Sequence, residues 1–233
     1  MCFVLELLSM AFFASLAANG ADDTAFARAR EEMVATQIAA RGVKDPKTLA
    51  AMRKVPRHLF VPEGALGQAY EDHPLAIGHG QTISQPYIVA FMTEAARLRG
   101  GETVLEIGTG SGYQAAALSQ IAARVFTIEI VAPLAASSAA LLKRLGYANV
   151  AVRAGDGYLG WPEAAPFDAI LVTAAAPKIP APLKEQLKDG GRLVLPVGDD
   201  WQELIVVTRR GERFEENRLL AVRFVPMTGK VRQ

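Results

Sequence analysis

Past Gly100-Gly101 the chain settles into a repeating alternation of short runs rich in Val, Ile and Leu with longer segments of helical composition. The strand candidates are T-V-L-E-I (103–107), R-V-F-T-I-E (124–129), N-V-A-V-R-A (149–154), F-D-A-I-L-V-T (167–173) and R-L-V-L-P-V (192–197). Tyr113–Ile121, Ala132–Leu145 and Pro180–Leu187 lie between them and read as helices. Strands that are apolar almost throughout must be buried on both faces. Linked by helices, they predict an α/β fold: a doubly wound, mostly parallel, Rossmann-like sheet. E-L-I-V-V-T-R-R-G-E-R-F and L-L-A-V-R-F-V-P then follow with no helix of any length between them, which predicts an antiparallel C-terminal edge.

Ahead of this core the pattern is helical. Phe26, Met33 and Ile38, with Arg and Glu between, predict an amphipathic helix from Thr24 to Arg41 that ends at Gly42. A second short helix follows Asp45-Pro46, with Leu49 and Met52 inward. V-P-R-H-L-F-V-P, with proline at both ends, predicts an extended crossing segment. Helix signals resume at Gln85-Pro86 and run to Arg97, placing Ile88, Met92, Ala95 and Ala96 on one face. The expected organisation is therefore an apolar extension at 1–21, a helical attachment with a loop at 22–97, and the sheet core at 98–233.

The extension, M-C-F-V-L-E-L-L-S-M-A-F-F-A-S-L-A-A-N-G-A, has signal-peptide length and ends in small residues near Ala17 and Gly20. Against export, no Lys or Arg precedes the apolar run, and Glu6 sits within it. The run is too short and interrupted for a membrane span. Two readings stand: an export signal, or a stretch upstream of a true start at Met10 or Met33. A cytoplasmic protein is the expectation, with a periplasmic or exported one the alternative if the run is a working signal.

Composition removes several function classes. Half the residues are hydrophobic, enough for a large core, and the net charge of +1 offers nothing to nucleic acid or an anionic membrane. The single cysteine, Cys2, rules out an internal disulfide, and the three scattered histidines have no metal-binding spacing. Neither a metal nor a nucleic-acid partner is expected, and a monomer is favoured. Trp161 and Trp201 are expected to pack, and His73 and His79 to make local loop contacts.

Glu106-Ile-Gly108-Thr-Gly110-Ser-Gly112 follows an apolar strand and opens a helix. Glycines let the backbone turn sharply beside a ligand, and the helix N-terminus presents free N–H groups. Glu129 ends the next strand, where a carboxylate can accept from both ribose hydroxyls. Gly155-Asp156-Gly157 ends the third, where it could meet an adenine amino group. Together the three strand ends describe a nucleoside site at the carboxyl edge of the sheet. The spacing G-x-G-x-G is not the G-x-G-x-x-G of dinucleotide sites. A carboxylate at Glu106 would repel a diphosphate but suits a ligand bearing an ammonium and a sulfonium. S-adenosylmethionine fits better than NAD.

With these residues in view, the chain from about Met33 to Thr228 resembles the protein-L-isoaspartate O-methyltransferase family. The matching segments are V-P-R-H-L-F-V-P, G-Q-T-I-S-Q-P, V-L-E-I-G-T-G-S-G-Y-Q, G-D-G-Y-L-G-W, F-D-A-I-L-V-T-A-A, G-G-R-L-V-L-P-V-G and R-F-V-P-M-T. The glycine cradle is shared by many methyltransferases; G-Q-T-I-S-Q-P and R-F-V-P are far more specific. The resemblance implies a class I methyltransferase fold, S-adenosylmethionine as cofactor, and isoaspartyl-containing proteins and peptides as partners. It further implies that Ser84 is the active-site serine, with Thr82 beside it. Glu106, Gly108, Gly110 and Gly112 would form the cofactor loop, Glu129 the ribose acid, Asp156 and Gly157 the adenine turn, and Thr228 a C-terminal contact. The extension before Met33 departs from the family pattern. A same-fold methyltransferase of a small molecule or RNA is the alternative, and a non-catalytic adenosine-binding module a third reading.

This chemistry explains why G-H-G-Q-T-I-S-Q-P-Y (78–87) holds no carboxylate, lysine or arginine. A carboxylate acceptor has a pKa of about 4 and reaches the site already ionised. No general base is needed. A neutral Ser84 hydroxyl can orient one acceptor oxygen, whereas a cation at that point would blunt the attack of the other. Ser84 could instead cap the helix opened at Gln85-Pro86.

Overall fold

The structure is a computed structural model that describes residues 24–232. The extension at 1–21 lies outside the described residues. Among the described residues no helix is long and apolar enough to cross a membrane.

Helix α1 (24–32) continues as a π-helical stretch at Met33–Ile38 and a 3-10 turn at Ala39–Arg41, ending at a left-handed Gly42. Met33 and Ile38 are fully buried, and Phe26 is half-buried with its ring stacked on His58 at 4.1 Å. Helix α2 (Pro46–Lys54) starts as its sequence predicts: the Asp45 carboxylate accepts from the Thr48 N–H at 2.7 Å and Pro46 opens the first turn.

The V-P-R-H-L-F-V-P segment is not extended. Arg57–Phe60 forms a 3-10 turn, and the prolines constrain only its flanks. Coiling brings Arg57 and Phe60 inward together. Arg57 is fully buried; its Nε–H donates to the Ala69 carbonyl at 2.8 Å and its guanidinium lies 4.9 Å from the Tyr113 ring centroid. Burial lowers the Arg57 pKa.

The following loop is a small hairpin, β1 (Leu75–Gly78) against β2 (Gln81–Ile83), turning through His79 and Gly80. Helix α3 (Pro86–Ala95) buries Val89, Ala90, Met92 and Thr93. Ile88 and Ala95 are only half-buried, so the inward face is rotated from the predicted one. Thr93 is buried with its hydroxyl satisfied, donating to the Val89 carbonyl and accepting from Gln114.

The core strands are β3 (Thr103–Ile107), β4 (Arg124–Glu129), β5 (Val150–Ala154), β6 (Phe167–Val172), β7 (Leu187–Val197), β8 (Gln202–Arg210) and β9 (Arg213–Val222). They form one seven-stranded sheet in the order β5-β4-β3-β6-β7-β8-β9. All pairs up to β6–β7 are parallel, and β7–β8 and β8–β9 are antiparallel, as expected. Strand β9 begins at Arg213 and stops at Val222, so R-F-V-P lies beyond it rather than within a strand.

Successive side chains point to opposite faces. Val104, Val125, Leu171, Val194 and Val206 join the N-terminal helices and α4 (Tyr113–Ser119) in one apolar cluster, to which α5 (Ala132–Arg144) adds Leu142. Leu105, Ile128, Ile170, Leu193 and Val207 face a second cluster with Leu183 of α6 (Ala181–Glu185) and with Met227. Each fully buried Leu or Ile contributes about 1.5–3 kcal/mol. From β3 the chain builds outward to β4 and β5, then crosses back to β6 on the other side. The carboxyl ends of β3 and β6 therefore flank a crevice, where open α/β sheets bind ligands.

Candidate active site

A narrow cleft lies at that crevice. Its walls include Gly108 and Gly110 after β3, Glu129 at the end of β4, Gly157 after β5, Thr173 after β6, and Thr228. The Gly108 N–H donates to the Ile128 carbonyl at 2.8 Å, which folds the glycine turn onto the end of β4. Gly108 has φ 99°, and a Cβ there would stand 2.3 Å from Thr173 Oγ1. At Gly157 a Cβ would stand 2.4 Å from Ile107 Cγ2. Both glycines are required by close approach, and any side chain at either would crowd into the cleft or its wall. Gly112 caps the start of α4 at φ 90°.

Glu129 is 5% exposed, and its two oxygens accept from the Gly110 N–H at 2.7 Å and the Val131 N–H at 2.9 Å. It braces the glycine turn while standing in the cleft wall. Glu106 is placed differently: it is fully buried and does not line the cleft. The Thr127 hydroxyl donates to its Oε2 at 2.5 Å, Thr109 lies 2.6 Å from Thr127, and Oε1 has no partner among the described residues. Burial pushes the Glu106 carboxyl up to about 8, with the Glu129 charge adding to the rise and the Thr127 hydrogen bond opposing it.

Asp156 caps a 3-10 turn, accepting from the Tyr158 N–H at 2.9 Å and the Lys230 N–H at 2.8 Å. It thus ties the C-terminal segment to the end of β5. Reciprocal backbone bonds of Ala175 with Val225 and Met227, at 2.8 and 2.7 Å, hold that segment against the cleft and bring Thr228 to its edge.

A second, larger cavity of about 640 Å³ adjoins it, with Ser84, Gln85, Tyr87 and the Leu220–Val225 segment in its walls. Thr82 and Thr173 line both spaces. Gln85, not Ser84, occupies the N-cap of α3, and no side chain caps that helix. The Ser84 hydroxyl has no hydrogen-bond partner among the described residues, so capping does not occupy it.

The structure therefore gathers Ser84, Thr82, Gly108, Gly110, Glu129, Gly157 and Thr228 around the two spaces. Gly112, Glu106 and Asp156 stand just behind the walls. Thr173, Arg41 and Tyr87 were missed from sequence. Thr173 had a signal, since it directly follows a strand at the switch point; Arg41 had none, because it closes the distant N-terminal helix. His73 makes local contacts, to Pro74 and Glu71. Trp161 packs edge-on against Phe126, but Trp201 is 72% exposed, contrary to expectation, at the bend leading into β8.

Comparison with known proteins shows the family and the fold. The protein-L-isoaspartate(D-aspartate) O-methyltransferase family model matches residues 28–232. The chain belongs to that family. A protein-L-isoaspartate O-methyltransferase of Opitutus terrae is 57% identical over 226 residues, 96% of this chain and 97% of that one. A protein-L-isoaspartate O-methyltransferase 2 of Shewanella sediminis is 58% identical over 210 residues, 89% of this chain and 86% of that one. Among solved structures, a protein-L-isoaspartate O-methyltransferase superposes with TM-score 0.80 at 31% identity, covering 87% of this chain and 67% of the other. A Plasmodium falciparum member of the family, in complex with S-adenosyl-L-homocysteine, superposes with TM-score 0.75 at 26% identity, covering 85% and 98%.

The family implies S-adenosylmethionine, and the cleft residues fit it. Among the described residues no Lys or Arg lines the cleft, the one charged side chain in its walls is the Glu129 carboxylate, and Glu106 with an unpartnered oxygen lies just behind the glycine turn. A diphosphate would find no counter-charge there; a cationic nucleoside finds a carboxylate.

Proposed function

We propose that this chain methylates isoaspartyl carboxylates by aligning an already ionised acceptor, without handling a proton. The activity itself follows from the family: it is an S-adenosylmethionine-dependent protein-L-isoaspartate O-methyltransferase, and its substrates are isoaspartyl proteins. Family membership also decides against the alternative of a small-molecule or RNA methyltransferase. Bound in the cleft, S-adenosylmethionine supplies an electrophilic methyl group on a sulfonium.

In this reading, Glu129 accepts from the ribose hydroxyls, while Gly108, Gly110 and Gly157 let the backbone close on the nucleoside. Asp156 and Gly157 turn the chain beside the adenine, Glu106 and Gly112 shape the loop from behind, and Thr228 closes the open edge. Ser84 donates to one acceptor oxygen and leaves the other free. The observation that carries the reading is that Thr82 and Thr173 are walls common to the cleft and to the Ser84 cavity. Two ligands seated in these spaces would meet at those two threonines. Among the described residues neither His, Asp, Glu, Cys nor Lys lines the Ser84 cavity, which suits a reaction needing no base. Methyl transfer joins opposite charges, so withdrawal of water favours it, and orientation alone can supply about 7–11 kcal/mol.

The proposal includes a monomeric, cytoplasmic protein with no nucleic-acid partner, organised as a 22–97 attachment on a 98–233 core. The near-neutral charge supports the absence of nucleic acid. The test pairs an isoaspartyl peptide with its aspartyl twin in the presence of methyl-labelled donor. Label should enter only the isoaspartyl peptide; equal labelling of both, or of neither, refutes the reading.

A further inference from the structure

The charges around the Ser84 cavity are one-sided. Arg41 and Arg223 line it, and among the described residues neither Asp nor Glu does. Both arginines face solvent, and the remaining polar walls (Thr82, Ser84, Gln85 and Thr173) are neutral. Arg41 is held in place on two sides. Its guanidinium stacks 3.6 Å from the Tyr87 ring centroid, and its Nη1 pairs with Asp72 at 2.7 Å. Gln85 donates to the Asp72 carbonyl at 2.9 Å, so the same bracket reaches the residue beside Ser84. Arg223 has no ion-pair partner among the described residues, and it is carried on the segment leaving β9.

Asp72 offsets part of the Arg41 charge, and among the described residues no carboxylate pairs with Arg223. A cleft whose rim carries one sign of charge above apolar walls concentrates ions of the other sign. Its ligand, on the function proposed above, is a carboxylate. The placement resolves a conflict in the chemistry. A cation bonded to the acceptor at the reacting position would weaken it as a nucleophile, yet an uncharged cavity would do little to draw an anion out of water.

We propose that Arg41 and Arg223 form a cationic rim that captures the anionic acceptor and passes it to a neutral floor at Ser84. The rim acts on capture and not on the bond-making step. Arg223 is the cleaner probe, since Arg41 also braces the chain on either side of the hairpin through Asp72 and Tyr87.

The experiment measures methylation of an isoaspartyl peptide by the wild type, Arg223→Gln and Arg223→Lys at low and at high salt. Arg223→Gln should raise KM about tenfold at low salt, with a much smaller change in kcat. Added salt should raise the wild-type KM towards that of the variant, because screening removes the field in both. Arg223→Lys should restore most of the loss, which a role in packing alone would not predict. An Arg223→Gln enzyme with wild-type KM, or a KM increase equal at both salt concentrations, overturns the rim while leaving the proposed activity standing. A wild type that labels no isoaspartyl peptide overturns both.

Discussion

Thr173 Oγ1 donates to the Gly108 carbonyl at 2.6 Å, joining the end of β6 to the glycine turn after β3 across the switch point of the sheet. The same oxygen stands 2.3 Å from where a Gly108 Cβ would be, so the bond and the missing side chain are one design. Gly108→Ala must also hold φ 99°, which costs a non-glycine residue about 1–2 kcal/mol before any clash. Crowding adds roughly 1–3 kcal/mol. Thermal unfolding should show the loss, and calorimetric titration should show weakened donor binding. Wild-type stability and affinity together would refute the account of this turn.

Ser84 lines the larger cavity with an unengaged hydroxyl, whereas Glu129 lines the neighbouring cleft, so on the proposed function the first serves the acceptor and the second the donor. Ser84→Ala should lower kcat about ten- to a hundredfold, matching the ~1.5–3 kcal/mol of a hydrogen bond to a charged group. The dissociation constant for S-adenosylhomocysteine, measured by titration, should stay within about twofold, well under the 1.4 kcal/mol that a tenfold change represents. A loss of donor affinity as large as the loss of turnover would place Ser84 in the wrong space.

Glu129→Ala should do the reverse. It removes the charged acceptor expected for two ribose hydroxyls and frees the Gly110 and Val131 N–H groups that it now holds. Donor affinity should fall by about 1.5–3 kcal/mol. Glu129→Gln, which keeps an acceptor oxygen but not the charge, should fall between. Unchanged affinity in the alanine variant would move the nucleoside elsewhere.

Glu106 offers a test by pH. Its carboxyl is raised to about 8 by burial, while the unfolded chain titrates it near 4.5. Between those values the folded protein holds a proton that the unfolded chain has released, so by linkage stability falls as pH rises through this window. Urea unfolding of the protein without donor should weaken progressively from about pH 5 to pH 8. Glu106→Gln, which cannot ionise, should flatten that slope. Equal slopes in the two proteins would refute the burial argument.

Much of this was legible in the chain itself. Near-continuous apolar strands separated by helices can only be a parallel sheet covered on both faces, and two strand segments without a helix between them can only return antiparallel. Glycine spacing and strand-end acids are local patterns, so Gly108, Gly110, Glu129 and Gly157 could be assigned from sequence and do meet at one cleft. What the tertiary structure decided was how distant pieces face one another. Arg57, between prolines in a segment read as extended, is coiled inward under Tyr113, because burial there depends on α4, some fifty residues on. Glu106 looks like a ligand contact by position, yet strand alternation turns it beneath the turn and into the core. Thr173 and Arg41 become walls of one site only because β6 crosses back beside β3 and the end of the N-terminal helix docks over the hairpin. Periodicity and turn chemistry act over a few residues and are written locally; cavities are made by surfaces brought together from across the chain, and their charge is set only when the chain closes.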